Sequence, residues 1–190
     1  MTSSQKHVRV FTAAFLAFSL PAYLYLQQHG WDEDSLGVTL RLSARLSLLV
    51  YLLIFVARPL RDLAANALSR NLVKYRRLLG VAFAAIMTAH FILLVTLNGL
   101  PAAIGGMIVY AFIYLMLITS FNKPAAALGP KRWRLLHKTG LYVIGYALAQ
   151  AQFSRILTGV GEPVHYVLAA LILLAVGIRV GAWVKKRRAS

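Results

Sequence analysis

The sequence predicts an all-α integral membrane protein, a bundle of six transmembrane helices with both termini in the cytoplasm. Of its 190 residues, 59% are hydrophobic and only 14% are charged, whereas roughly 25% of the residues of a soluble domain are charged. The chain is also basic, with 21 lysine and arginine residues against 5 aspartate and glutamate residues. Long apolar runs separate these cations and leave little water-exposed surface for a nucleic-acid site. We therefore expect the protein to lie in a lipid bilayer and not to bind nucleic acid.

Six segments are long and apolar enough to cross a bilayer, since a spanning helix needs about 20 mostly apolar residues. They are residues 8–28, 38–56, 79–97, 102–121, 135–156 and 164–184. The first could be mistaken for a secretory signal, but no small-residue cleavage pattern closes it, so we keep it as a span. The spans use most of the chain. We therefore expect one membrane domain over residues 1–190, without a soluble catalytic domain.

The basic residues orient these spans, because lysine and arginine concentrate in cytoplasmic loops. They fall in alternate connections, at Lys6, Arg9, Arg58, Arg61, Arg70, Lys74, Arg76, Arg77, Lys123, Lys131, Arg132, Arg134, Lys138, Lys185, Lys186, Arg187 and Arg188. The other connections hold Asp32, Glu33, Asp34 and Glu162. This pattern predicts cytoplasmic termini and a multi-pass protein of the bacterial inner membrane.

The longest connection, residues 58–78, has apolar residues at spacings of three and four with basic residues between them. That spacing predicts an amphipathic helix lying along the cytoplasmic membrane surface. Two roles stay open for it: an anchor to anionic lipid, or a docking surface for a cytoplasmic redox partner.

Polar side chains within the spans are candidates for function, because they are costly in lipid. The main ones are Arg45, His90, His137, Gln150 and His165. A helix rises about 1.5 Å per residue, which places His90 roughly 18 Å above the inner end of its span, near the level of Gln150. His137 lies near the inner surface, on the order of 14 Å from that level. His90 and His137 therefore cannot bind one iron.

A histidine at mid-depth beside another polar helix is typical of a b-type haem site. Imidazole binds iron, and a cation such as Arg45 or Arg155 can pair with the propionates. The alternative is that His90 is a structural residue held by a hydrogen bond. The chain has no cysteine, which excludes thiolate ligands and iron–sulfur clusters. The spans contain no carboxylate that could orient a base, so we expect no catalytic residue.

Three stretches carry a family resemblance. They are Ser43-Ala-Arg-Leu-Ser through Val56-Ala-Arg-Pro-Leu-Arg61, Tyr75-Arg-Arg-Leu-Leu-Gly80 leading to His90, and Gly129-Pro-Lys-Arg-Trp-Arg-Leu-Leu-His137. They resemble the ferric reductase-like transmembrane domain family. The match is closest to its short bacterial form, the MsrQ/YedZ-type haem-binding membrane subunit of periplasmic methionine sulfoxide reductase systems.

The resemblance implies a six-helix bundle that passes electrons through b-type haem from a cytoplasmic-side donor to a periplasmic acceptor. The donor would be a flavin reductase, free reduced flavin or quinol, so that any flavin comes from a partner. The resemblance makes His90 an iron ligand and His137 an inner ligand or relay, with Arg45 as a propionate partner.

The sequence departs from the family at one ligand position. In the family, the fifth helix carries two histidines thirteen positions apart, and thirteen residues after His137 the chain has Gln150. Three outcomes stay open. Haem could be held by His90 alone or with Gln150 as a weak ligand, or His165 could supply the second imidazole. Alternatively, the haem has been lost and the bundle is a scaffold or accessory subunit of a larger membrane complex.

Overall fold

The computed structural model describes residues 3–188, and every regular element in that range is helical. The helices are α1 (Ser3–His29), α2 (Glu33–Leu63), α3 (Ala67–Ala103), α4 (Met107–Ile118), α5 (Asn122–Leu128), α6 (Pro130–Leu157) and α7 (Pro163–Arg188). A short 3-10 helix, Ile104–Gly106, joins α3 to α4. The predicted all-α class is confirmed for this part of the chain.

Four helices, α1, α2, α3 and α7, are long and apolar enough to cross a membrane. A fifth span results if α4, the 3-10 helix before it and α5 count together. The chain bends by 107° between α4 and α5. The predicted span 135–156 lies in α6, which has the length of a span but many polar residues. A membrane protein with four or five candidate spans is therefore confirmed. The count of six and the cytoplasmic termini stay predictions.

Side-chain caps fix where α2 and α3 begin. Asp32 accepts a hydrogen bond from the backbone N–H of Ser35 at 2.8 Å. At the start of α3, Asn66 accepts from the N–H of Ser69 at 2.9 Å, and Ser69 Oγ accepts from the N–H of Asn66 at 3.1 Å. Such reciprocal bonds satisfy backbone donors that have no partner within the helix. Both boundaries are therefore encoded locally.

The cap at Asn66 also changes the predicted surface segment. Instead of one helix over residues 58–78, α2 continues to Leu63 and α3 begins at Ala67. The two long helices thus share the basic segment, and their connection is only three residues long. A short connection of this kind places α2 and α3 side by side in opposite directions.

Helix α2 is the centre of the bundle. It packs along α3 on one side and α7 on another, while α1 packs against α3 and α6 lies between α4 and α7. The sequence puts His90 of the third span near the level of Gln150 of the fifth, but α6, which carries Gln150, makes its main contacts with α4 and α7. The largest core cluster combines residues of α2, α3, α4, α6 and α7, with Tyr51, Phe83 and Tyr110 among its aromatic members.

Tyr51 connects α2 directly to α6. Its side chain is buried, and its hydroxyl donates a hydrogen bond to the Leu141 carbonyl at 2.6 Å. The phenol lies against Gly145, where the Cβ of any other residue would overlap the tyrosine hydroxyl. A second glycine, Gly140, allows the same helix to approach Met116 of α4. Two glycines therefore set how closely α6 packs on both neighbours.

Substitution of Gly145 by alanine is expected to destabilise the bundle, because the added methyl group displaces Tyr51 from its hydrogen bond. Overpacking of this kind costs about 1–3 kcal/mol. The measurement is the free energy of unfolding in detergent, followed by circular dichroism.

Gly177→Ala is the matched control, because Gly177 is also helical and no heavy atom lies within 4 Å of its added Cβ. Its stability should be unchanged or higher, by up to about 1 kcal/mol, from helix propensity. Equal stabilities of the two variants would contradict the packing role of Gly145.

Candidate functional site

A row of hydroxyl side chains runs along the inner face of α2. Ser35, Thr39, Ser43 and Ser47 follow each other at intervals of four, and all four are buried. Residues at this interval lie on one face of a helix. The row was missed in the sequence because serine and threonine are inconspicuous among apolar residues. The regular spacing was the available signal.

Ser43 holds His90 in a defined orientation. Its Oγ lies 2.7 Å from His90 Nδ1 and 2.7 Å from the Leu40 carbonyl oxygen. The carbonyl can only accept, so the single hydroxyl hydrogen goes to Leu40, and His90 Nδ1–H then donates to Ser43. This tautomer leaves the lone pair on Nε2. A metal-binding histidine has this arrangement, with one ring nitrogen donating to a neighbour and the other free for the metal.

His137 has a separate environment at the junction of α4 and α6. Its Nε2 lies 3.0 Å from Thr119 Oγ1, and its ring stacks on Trp133 with centroids 4.2 Å apart. Trp133 Nε1 in turn donates to the Thr119 carbonyl at 2.9 Å. The two histidines thus have different partners in different parts of the bundle.

His137 and Trp133 line a cavity of about 240 Å³ between α2, α3, α4 and α6. Arg58, Arg76 and Arg77 also line it, and no carboxylate is among its described lining residues. Arg76 Nε donates to the Ile54 carbonyl at 3.1 Å. The cavity therefore concentrates positive charge beside an aromatic wall, which suits part of an anionic ligand.

The two glutamines of α6 differ in exposure. Gln150 is exposed, whereas Gln152 is buried and its Oε1 has no hydrogen-bond partner among the described residues. The thirteen-residue spacing from His137 directed attention to Gln150. That spacing does not define how α6 is rotated about its axis. In the structure, the rotation buries Gln152 and leaves Gln150 exposed.

Arg45 and His165 belong to a cluster at the opposite end of the bundle from the arginine-lined cavity. Arg45 Nη2 pairs with Glu162 Oε2 at 2.7 Å, and the backbone N–H of Glu162 donates to His165 Nδ1 at 3.0 Å. Arg45 lies two residues after Ser43, about 200° around α2. Their contacts therefore leave α2 on opposite sides, and the structure does not bring Arg45 and His165 to His90.

Within residues 3–188, no group of three or more histidine, cysteine, aspartate or glutamate side chains could hold a metal ion. A cofactor that needs only one or two ligands from the protein, such as haem, is compatible with the described histidines.

Comparison with known proteins gives one partial similarity. The chain is 34% identical over 89 residues to a protein-methionine-sulfoxide reductase heme-binding subunit, MsrQ, of Polaromonas naphthalenivorans. The matched segment is 46% of this chain and 40% of that protein. No family model matches the chain, and no solved structure matches it. The similarity supports, at most, an MsrQ-like family.

Replacing Thr119 with valine is expected to lower the free energy of unfolding by about 1 kcal/mol more than a control substitution, because His137 loses its hydroxyl partner. Thr96→Val is the control, since exposed Thr96 makes only the local bond to the Ile92 carbonyl. Detergent unfolding measures both. Equal losses would show that the hydrogen bond to His137 contributes nothing.

Glu162 should titrate below the ordinary pKa of a glutamate, chiefly because its carboxylate accepts a hydrogen bond from Arg45. A lowered pKa means that the pair is intact at neutral pH and is lost as the pH falls through that lowered value. Carbon-13 NMR can follow it readily, since the chain has two glutamates, Glu33 and Glu162.

In the same titration, Arg45→Gln should raise the pKa of Glu162, whereas Arg41→Gln should raise it less, because Arg41 acts only through its charge. A larger effect of Arg41→Gln would contradict the ion pair.

Proposed function

We propose that the protein is a haem-binding electron-transfer subunit of a membrane oxidoreductase, in the bacterial inner membrane. The observation that carries this proposal is the 2.7 Å contact between His90 Nδ1 and Ser43 Oγ, which orients the imidazole so that Nε2 would be the nitrogen that binds iron. The partial similarity to a heme-binding subunit supports it independently.

The residues around His90 would provide one protein ligand to a haem iron. Bound haem would supply reversible one-electron chemistry to the membrane. His90 would hold the iron, and Ser43 would keep the imidazole in the correct tautomer and orientation. Gln150 is exposed and His165 is held in the outer cluster, so His90 would act without a second histidine beside it.

The arginine-lined cavity supports an anionic electron donor on the cytoplasmic side. Arg58, Arg76 and Arg77 would attract the phosphate of a reduced flavin, delivered free or on a cytoplasmic reductase, and Trp133 offers an aromatic face to stack on. A quinol donor would interact less favourably with these three arginines. The acceptor would be a periplasmic protein at the opposite end of the bundle.

A haem-free scaffold within a larger membrane complex is the second candidate. Its supporting observation is that His90 and His137 both have hydrogen-bond partners inside the bundle. Buried polar groups paired in this way stabilise a membrane bundle without any cofactor.

Absorption spectroscopy separates the two functions. The protein purified from haem-sufficient cells should show a Soret band and α and β bands that change on reduction with dithionite, and His90→Ala should abolish them. A preparation that stays colourless on titration with haem would overturn the electron-transfer proposal and favour the scaffold.

Ser43→Ala tests the positioning role more finely. Loss of such a supporting hydrogen bond lowers metal affinity about 10- to 100-fold, and we expect a similar loss of haem affinity and a more positive reduction potential. Ser47→Ala is the matched control, because Ser47 is equally buried one turn away and its hydroxyl has no partner among the described residues. Identical spectra and potentials in both variants would contradict the role of Ser43.

A further inference from the structure

A second and larger cavity, of about 720 Å³, lies between α2, α6 and α7. Its walls are mostly apolar and aromatic, including Leu52, Phe55 and Val176. Several wall side chains are exposed, among them Tyr146 and Trp183, so this groove opens to the outside of the bundle. In a membrane, that opening faces lipid.

Arg179 of α7 lies in the groove and is fixed there by neutral groups. Its Nη1 donates to the Phe55 carbonyl at 3.0 Å, and its Nε donates to Tyr142 Oη at 3.2 Å. The guanidinium carbon lies 4.4 Å from the centroid of the Phe55 ring and 5.1 Å from that of Tyr142. These contacts orient the side chain without neutralising its charge.

No carboxylate pairs with Arg179 in the described part of the chain, where the ion pairs are Arg45–Glu162 and Arg61–Asp62. Arg179 was missed in the sequence because it is near the basic end of the predicted span 164–184. It lies six residues before Lys185, or about 9 Å. At this depth a cation is costly unless an anion or water meets it.

We propose that the groove binds an anionic phospholipid, with the phosphate on Arg179 and an acyl chain along the apolar walls. Arg179 has guanidinium N–H groups left for a phosphate after its two described hydrogen bonds, and the arginine fork matches phosphate oxygens. Arg179 lies about 9 Å before the basic C-terminal turn. At that distance, its guanidinium would lie just below the lipid headgroups. Binding here does not depend on haem.

Native mass spectrometry of the full chain in detergent tests this proposal with phosphatidylglycerol and phosphatidylcholine of identical acyl chains. Phosphatidylglycerol should bind more tightly to the wild type. Arg179→Gln should weaken phosphatidylglycerol binding about fivefold to tenfold, the value of one arginine at a membrane surface. It should weaken phosphatidylcholine binding less, because the choline ammonium offsets the charge of that lipid's phosphate.

Three further variants make the result decisive. Arg179→Lys should retain most of the preference, and Lys131→Gln, which removes an exposed cation outside the groove, should change nothing. If Arg179→Gln fails to fold, Val176→Trp tests the same site by filling the groove, and it should weaken phosphatidylglycerol binding. Equal binding of the two lipids, no effect of Arg179→Gln and Val176→Trp, or displacement of phosphatidylglycerol by a short-chain quinone would overturn the proposal.

Discussion

Tyr51 joins α2 to α6 at a point where both helices otherwise pack on other neighbours. Its hydroxyl satisfies the Leu141 carbonyl, and its ring takes the space that Gly145 leaves open. The same residue borders the arginine-lined cavity on one side and the Arg179 groove on the other. One buried side chain therefore ties the polar helix α6 to α2 and separates the two cavities.

Features that depend on local sequence were predictable. The helical class follows from long apolar runs. The place of His137 beside Trp133 follows from their spacing of four residues near the start of α6. The basic ends of the helices also meet as their charge pattern indicates, since Lys185 Nζ donates to the carbonyls of Asp62 and Leu63. Each of these features can be predicted from the order and spacing of residues along the chain.

Features that depend on which helices are neighbours were not predictable in this way. Hydropathy does not specify that α6 packs against α4 and α7, and the spacing from His137 could not show that Gln152 rather than Gln150 is buried. Ser43 was hidden for a related reason, because its importance comes from His90, forty-seven residues away. Arg179 has the same property, since its partners lie on α2 and α6.

The shortness of α4 makes the molecule uneven in a bilayer. Its 12 residues extend only about 18 Å, against a hydrocarbon layer of about 30 Å, and the chain then bends sharply into α5. If α4 alone crosses the hydrocarbon layer, lipid on this side has to thin, whereas α2 and α7, with 31 and 26 residues, are long enough for the full thickness. A molecule with one shallow side is best accommodated in a thinner membrane or beside another protein that covers that side.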